Sequence, residues 1–294
     1  MELVLHGVYT ALVTPFRDGK VDEAAFRRLV EEQVAGGVTG IVPVGTTGES
    51  PTLDYDEHFR VIQLAVETAQ GRVAVLAGTG SNSTAEAIKL SQGAQDLGAD
   101  GLLVVTPYYN KPSQEGLYRY YTDVAEATKI PLVLYSVPGR CGVEIGVETA
   151  ARLAAHPRIV ALKEAGGNVD RGSALRQAVP ESFALFSGDD GLTLPFLSVG
   201  AVGVISVASN LVPREVVALV QEWRAGKFAE AEARHRRLYP LFRDLFIESN
   251  PVPVKTALAR QGWMTADVRG PLAPVSAASL AKLEVTLAAL GEAR

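Results

Sequence analysis

A short β-branched run, a glycine-rich or polar loop and an amphipathic helical stretch recur along the chain with few exceptions, and this repeat limits the fold more than any other feature. The runs cover residues 7–13, 40–44, 73–77, 101–105, 131–135, 159–163, 183–186 and 202–206, eight in all. Most are near-continuously apolar rather than alternating, the pattern of parallel strands covered on both faces. Between them, Phe59, Ile62, Val66 and Ala69 recur at helical spacing, as do Leu117, Tyr121, Val124 and Thr128. Eight βα units fit an α/β fold of the (β/α)8 TIM-barrel type, with an open doubly wound sheet as the other arrangement such a pattern allows.

After Pro213 the strands stop, and residues 216–294 read as helices broken near Asn250-Pro-Val-Pro253 and Gly270-Pro-Leu-Ala-Pro274. The expected organisation is a catalytic barrel over 1–225 and a C-terminal helical extension over 226–294 packed on it. With 294 residues, 47% of them hydrophobic, the chain can bury a large core. Its net charge of −5 and scattered basic residues argue against a nucleic-acid surface. The uncharged stretch 191–213 is long enough to test as a membrane span, yet Thr193, Pro195, Ser198, Ser206, Ser209 and Asn210 interrupt it, so a short buried helix, a turn and a strand are expected. Cys141 is the single cysteine and no secretory pattern opens the chain, so a cytoplasmic protein without an intrachain disulfide is expected. His6, His58, His156 and His235 lack metal-ligand spacing, and no metal is expected.

Lysine 163 closes the apolar run Ile159-Val-Ala-Leu-Lys163. A charge at the end of a buried strand must be paired, solvated or shifted toward its neutral form, and a neutral amine there is a nucleophile for carbonyl carbon. A lysine that merely snorkels into solvent is the plainer reading of this segment alone. In barrels the chemistry sits on loops at the C-terminal ends of the strands. Those loops here carry GTTGES at 45–50, TPYYN at 106–110, Tyr135 with VPGR at 137–140, and SGDD at 187–190.

These motifs, with TPYYNKPSQEGLY at 106–118, YSVPGR at 135–140, ALKEA at 161–165, the opening GVYTALVTPF at 7–16 and NPVPVKTAL at 250–258, resemble the pyruvate-dependent Schiff-base aldolase superfamily, and within it the dihydrodipicolinate synthase family. The resemblance runs over nearly the whole chain, and the joint order and spacing of the motifs make it specific. It implies that Lys163 forms an imine with pyruvate, that the derived enamine attacks L-aspartate 4-semialdehyde, and that no cofactor is required. A lysine held about three units below its usual value needs roughly 4 kcal/mol of differential interaction, which desolvation can supply.

By residue match, Tyr135, Thr46 and Tyr109 look like the family's proton relay, hydroxyls that both donate and accept. The match to Tyr109 implies entry into a neighbouring subunit's site, hence a homo-oligomer, a tetramer built from tight dimers. Thr47, with Gly45 and Gly48 letting its loop approach closely, looks like the grip on the pyruvate carboxylate. Gly188 and Ile205 match positions lining the site, although a turn glycine and a core isoleucine need no function. Arg140 is assigned by resemblance to the carboxylate of the semialdehyde, for which a bidentate guanidinium is suited. Cys141 departs from the pattern, since threonine is common there.

L-lysine is the expected effector, because Ser50, His58, Asn82, Glu86 and Tyr108 match the residues that contact it in lysine-inhibited members. Against this stand the capping-box spacing of Ser83 and Glu86 and the departures at Pro51 and Tyr55. The nearest rivals are other pyruvate-dependent aldolases (N-acetylneuraminate lyase, sugar-acid or 4-hydroxy-2-oxoglutarate aldolases), which would share Lys163 and Tyr135. A nucleotide site at Gly78-Thr-Gly-Ser-Asn-Ser83 lacks the third glycine of a dinucleotide fingerprint and a Walker lysine.

Overall fold

In a computed structural model of the chain, which describes residues 3–291, all eight runs are strands and the sheet they form closes on itself. They are β1 (Gly7–Ala11), β2 (Gly40–Val42), β3 (Ala74–Gly78), β4 (Gly101–Val105), β5 (Leu132–Ser136), β6 (Ile159–Glu164), β7 (Ala184–Ser187) and β8 (Gly203–Ser206). Each lies parallel beside its sequence neighbours, and β8 returns to β1 with Tyr9 opposite Ile205. The doubly wound alternative is therefore excluded.

Alternation along parallel strands divides the core into two layers. Tyr9, Val42, Leu76, Leu103, Val133, Ala161, Phe186 and Ile205 pack in one cluster inside the barrel. Their immediate neighbours Val8, Ile41, Val75, Leu102, Leu134, Leu162 and Val204 join a second cluster with the surrounding helices. Two residues beyond Ala161, Lys163 keeps the inward direction, whereas Glu164 turns outward and accepts from Arg171 Nε at 3.1 Å.

Helix Tyr55–Ala69 buries Val61, Ile62, Leu64, Ala65, Thr68 and Ala69, so its core face is turned from the expected stripe and Phe59 and Val66 are only half-buried. The helix touches both the sheet and its two neighbouring helices, which widens the covered face beyond one apolar row. In helix Gln114–Glu126 the expected Leu117, Tyr121 and Val124 are buried. An antiparallel pair of two-residue strands, Phe16–Arg17 with Lys20–Val21, was outside the sequence expectation, since arms that short carry no periodicity.

The uncharged stretch 191–213 resolves into helix Thr193–Ser198 and strand β8, as expected. Among the described residues, no helix is long and apolar enough to cross a membrane. The helices Pro213–Arg224, Phe228–Asp244, Val252–Arg260 and Ala277–Gly291 follow. This last part touches the first third of the chain at several points. Arg28 donates to the Trp263 carbonyl at 2.7 Å, and Arg269 pairs with both oxygens of Glu57 at 2.5 and 2.6 Å.

Candidate active site

Strand register brings the central pair together. Tyr135 on β5 lies opposite Lys163 on β6, and the lysine Nζ sits 4.2 Å from the centre of the tyrosine ring. Lys163 is only 5% exposed, and burial lowers its pKa to about 8. Asp190 pulls in the opposite direction and Arg140 reinforces the lowering, so desolvation outweighs the Asp190 carboxylate. That carboxylate is itself occupied: Ser206 Oγ donates to it at 2.5 Å and the N–H groups of Val207 and Ala208 at 2.9 Å. Tyr135 shares a hydrogen bond with Thr46, and burial raises its pKa despite Arg140 and that bond. A neutral hydroxyl pair therefore stands beside an amine that is easily deprotonated.

The loop carrying Thr46 and Thr47 is bracketed by two non-glycine residues in left-handed conformation, Val44 at φ 49° and Glu49 at φ 55°. Such conformations cost on the order of 1–3 kcal/mol each, more readily tolerated where surrounding contacts fix them. Here Thr14 Oγ donates to the Gly48 carbonyl at 2.7 Å, and Lys255 Nζ donates to Glu49 Oε1 at 2.5 Å inside the core. Gly48 is needed for space, because a Cβ there would lie 3.0 Å from the Val44 backbone. At Gly45 it would meet nothing nearer than 3.8 Å, so packing within the chain does not itself require a glycine there.

Thr47, Tyr135, Arg140, Lys163 and Gly188 line one cavity of about 100 Å³. Gly188 leaves room for the amine, since a Cβ would come within 3.1 Å of Lys163 Cε and 2.6 Å of the Ala165 methyl. Ile205 packs in the barrel interior with Tyr9 and Phe186 and does not line this cavity, whereas Val207, two residues on, does. Tyr109 is not brought to the cavity of its own chain. It is 90% exposed, with φ 73°, and makes no hydrogen bond among the described residues. Cys141 is buried and its thiol is pushed up by that burial, which leaves it a neutral core residue beside Arg140.

Asn250 is the principal residue the sequence reading missed. Its Nδ2 donates to Thr47 Oγ1 at 3.0 Å and its carbonyl accepts from Arg140 Nη2 at 3.3 Å, so it ties together the two expected carboxylate grips. It lay within the NPVPVK motif, but nothing local marks a residue whose partners are 203 and 110 positions away. No group of three or more His, Cys, Asp or Glu side chains among the described residues could hold a metal.

The model of the Dihydrodipicolinate synthetase family matches residues 4–290. The chain belongs to that family. It is 53% identical over 285 residues to the 4-hydroxy-tetrahydrodipicolinate synthase of Pelobacter propionicus, with 97% of this chain and 98% of the relative covered. The enzyme of the same name from the thermoacidophilic methanotroph Methylacidiphilum fumariolicum SolV superposes with a TM-score of 0.97 at 55% identity, covering 98% of this chain and 97% of that one. The dihydrodipicolinate synthase of Cyanidioschyzon merolae, solved with lysine bound, gives 0.95 at 41% identity, with 98% of both chains covered.

In this member of the dihydrodipicolinate synthetase family a second cavity, of about 400 Å³, is lined by Ser50, His58, Glu86 and Tyr108 among others. Asn82 is not in that lining; its carbonyl instead accepts from Asn110 Nδ2 at 2.8 Å. His58 is buried rather than a surface residue, donates to the Gly78 carbonyl at 3.0 Å, and is held neutral by a pKa lowered to about 4. Glu86 accepts from Ser81 Oγ and from Tyr55 Oη at 2.8 Å, and those bonds hold its carboxyl below the usual range. The capping box is only half formed: Ser83 Oγ accepts from the Glu86 N–H, while the Ser83 N–H goes to Ser81.

Proposed function

We propose that the protein condenses pyruvate with L-aspartate 4-semialdehyde to give 4-hydroxy-tetrahydrodipicolinate, the first committed step of the diaminopimelate route to lysine. The observation that carries this reading is a buried, inward-facing lysine with a lowered pKa, at the C-terminal end of β6 and in one cavity with Tyr135 and Arg140. The neutral amine adds to C2 of pyruvate and the carbinolamine loses water to an imine. The imine is an electron sink that lets a C3 proton leave, and the enamine adds to the aldehyde. Attack of the substrate amine on C2 then closes the ring and expels the lysine.

Tyr135 and Thr46 pass protons to and from the carbinolamine, and Tyr109, reaching in from a second copy, completes the relay. The support for that third role is a strained, almost wholly exposed tyrosine with no use in its own chain. The assembly proposed is a homotetramer of tight dimers. Thr47 binds the pyruvate carboxylate and Arg140 that of the semialdehyde. We place the division between catalytic barrel and helical extension near residue 225, and the protein in the cytoplasm.

Borohydride added with pyruvate is expected to leave a reduced adduct on the peptide containing Lys163, and aspartate semialdehyde to be consumed while N-acetylneuraminate and 4-hydroxy-2-oxoglutarate are not. Mass mapping and a coupled assay read the two halves. Labelling at another residue, or turnover of a rival substrate at comparable rate, refutes the assignment.

L-lysine is proposed as an effector in the second cavity, where the charged Glu86 and Tyr108 can meet its ammonium and carboxylate. Tyr108 adjoins Tyr109, so occupancy can bias the relay through one loop. Millimolar L-lysine is expected to inhibit the protein and to lose that effect in Glu86→Ala. Unchanged rates together with no calorimetric binding would remove the regulatory site.

A further inference from the structure

The second substrate brings three groups to the cavity: an aldehyde, a carboxylate and an α-ammonium. The enamine meets the first and Arg140 the second, which leaves the ammonium without an assigned partner. Of the side chains lining the cavity, only Asp189 is an acid. Its backbone is fixed on the barrel rim, since Ser187 Oγ donates to the Asp189 carbonyl at 2.7 Å and accepts from its N–H at 3.2 Å. The following residue, Asp190, is locked by the three donors already described and has no oxygen to spare.

Asp189 is different. Its Oδ1 accepts from the Gly191 N–H at 3.0 Å, while Oδ2 makes no hydrogen bond among the described residues. The residue is half-buried, and desolvation pushes its carboxyl up, as happens to an acid that lacks a cationic partner. Phe246, which is 43% exposed, lines the same cavity and adds apolar surface to it. A carboxylate in such a place gains much from an ammonium and little from a neutral group.

We propose that Asp189 is the specificity-determining residue for the α-ammonium of the second substrate, holding the amino group against the wall that also carries Arg140. The proposal rests on the condensation described above. Such a contact favours an amino-aldehyde over a plain one, and it keeps the nitrogen that must later attack C2 inside the cavity.

The test compares aspartate semialdehyde with succinate semialdehyde, which has the same aldehyde and carboxylate but no amine. For Asp189→Asn, which can keep the bond to Gly191, KM for aspartate semialdehyde is expected to rise by about 30-fold or more, from loss of one partner of a charge pair. Inhibition by succinate semialdehyde, KM for pyruvate and borohydride labelling of Lys163 should stay within about twofold in a variant that removes only an ammonium contact. Asp189→Glu should recover part of the loss, and Arg140→Ala should weaken both semialdehydes alike. An unchanged KM in Asp189→Asn, or equal losses for both semialdehydes, overturns the role of Asp189 while leaving the imine chemistry standing. Absence of labelling in the unmodified protein would overturn the condensation reading and this proposal with it.

Discussion

Lys163→Ala is expected to reduce turnover by at least about 10⁴-fold, because no other side chain in the cavity can form the imine on which each later step depends. In the unmodified protein the rate of imine formation should climb with pH and level off above about 8, where burial has placed the amine. At pH 7 roughly one lysine in ten is then neutral, against fewer than one in a thousand for a free side chain. The same shift bears on stability. A lysine in the unfolded chain titrates near 10.4, so between there and pH 8 the unfolded state binds more protons than the folded one and stability rises with pH. Below pH 8 the buried ammonium costs about 3 kcal/mol. Lys163→Met, which keeps the volume, should therefore melt no lower than the unmodified protein at pH 7. A loss of turnover in Lys163→Ala well short of about 10⁴-fold, or a clearly lower melting temperature in Lys163→Met, would contradict this account of the residue.

How much of this was legible beforehand follows from how local each signal is. The barrel could be read because each strand announces itself within a few residues, and Lys163 because it interrupts one such strand at its inward-facing end. The loops at the strand ends were readable by motif, and four of the five residues expected to contact the effector do line one cavity. Ile205 lies within β8 among the interior side chains, and the cavity is lined instead where the chain leaves that strand, at Val207. Asn82 was expected by match to lysine-inhibited members, and here it lies outside the lining of that cavity, with its carbonyl accepting from Asn110. Asn250 and Asp189 fell inside recognised motifs, NPVPVKTAL and SGDD, but nothing local gave either of them a role. Their importance depends on which distant residues closure of the barrel and return of the C-terminal segment bring alongside them.

Lys255 is the extreme case of that dependence, and it carries the largest expected effect on stability. It is fully buried, 206 residues from its partner Glu49, with Nζ to Oε1 at 2.5 Å. The other carboxylate oxygen accepts from the Arg269 N–H at 3.0 Å, and the ammonium lies 4.2 Å from the centre of the Phe16 ring. Desolvation lowers the lysine pKa and Glu49 raises it, so each charge is tolerated in the core mainly because the other is there. Lys255→Met removes one charge and strands the other beneath the loop that presents Thr46 and Thr47. The expected loss is about 3–5 kcal/mol, or roughly 10 °C in melting temperature at 2–4 °C per kcal/mol for a larger domain. Because Glu49 also holds a left-handed backbone at φ 55°, the variant should raise KM for pyruvate as well, through a loosened Thr47. Adding Glu49→Gln to Lys255→Met takes away the stranded charge and should restore much of the stability, the sign of non-additivity that a coupled pair requires. Denaturant titration of the two single variants and the double variant decides it. A loss below about 1 kcal/mol in Lys255→Met, the range of an exposed pair, or a double variant no more stable than the weaker single one, would show that the loop is held by its other contacts instead.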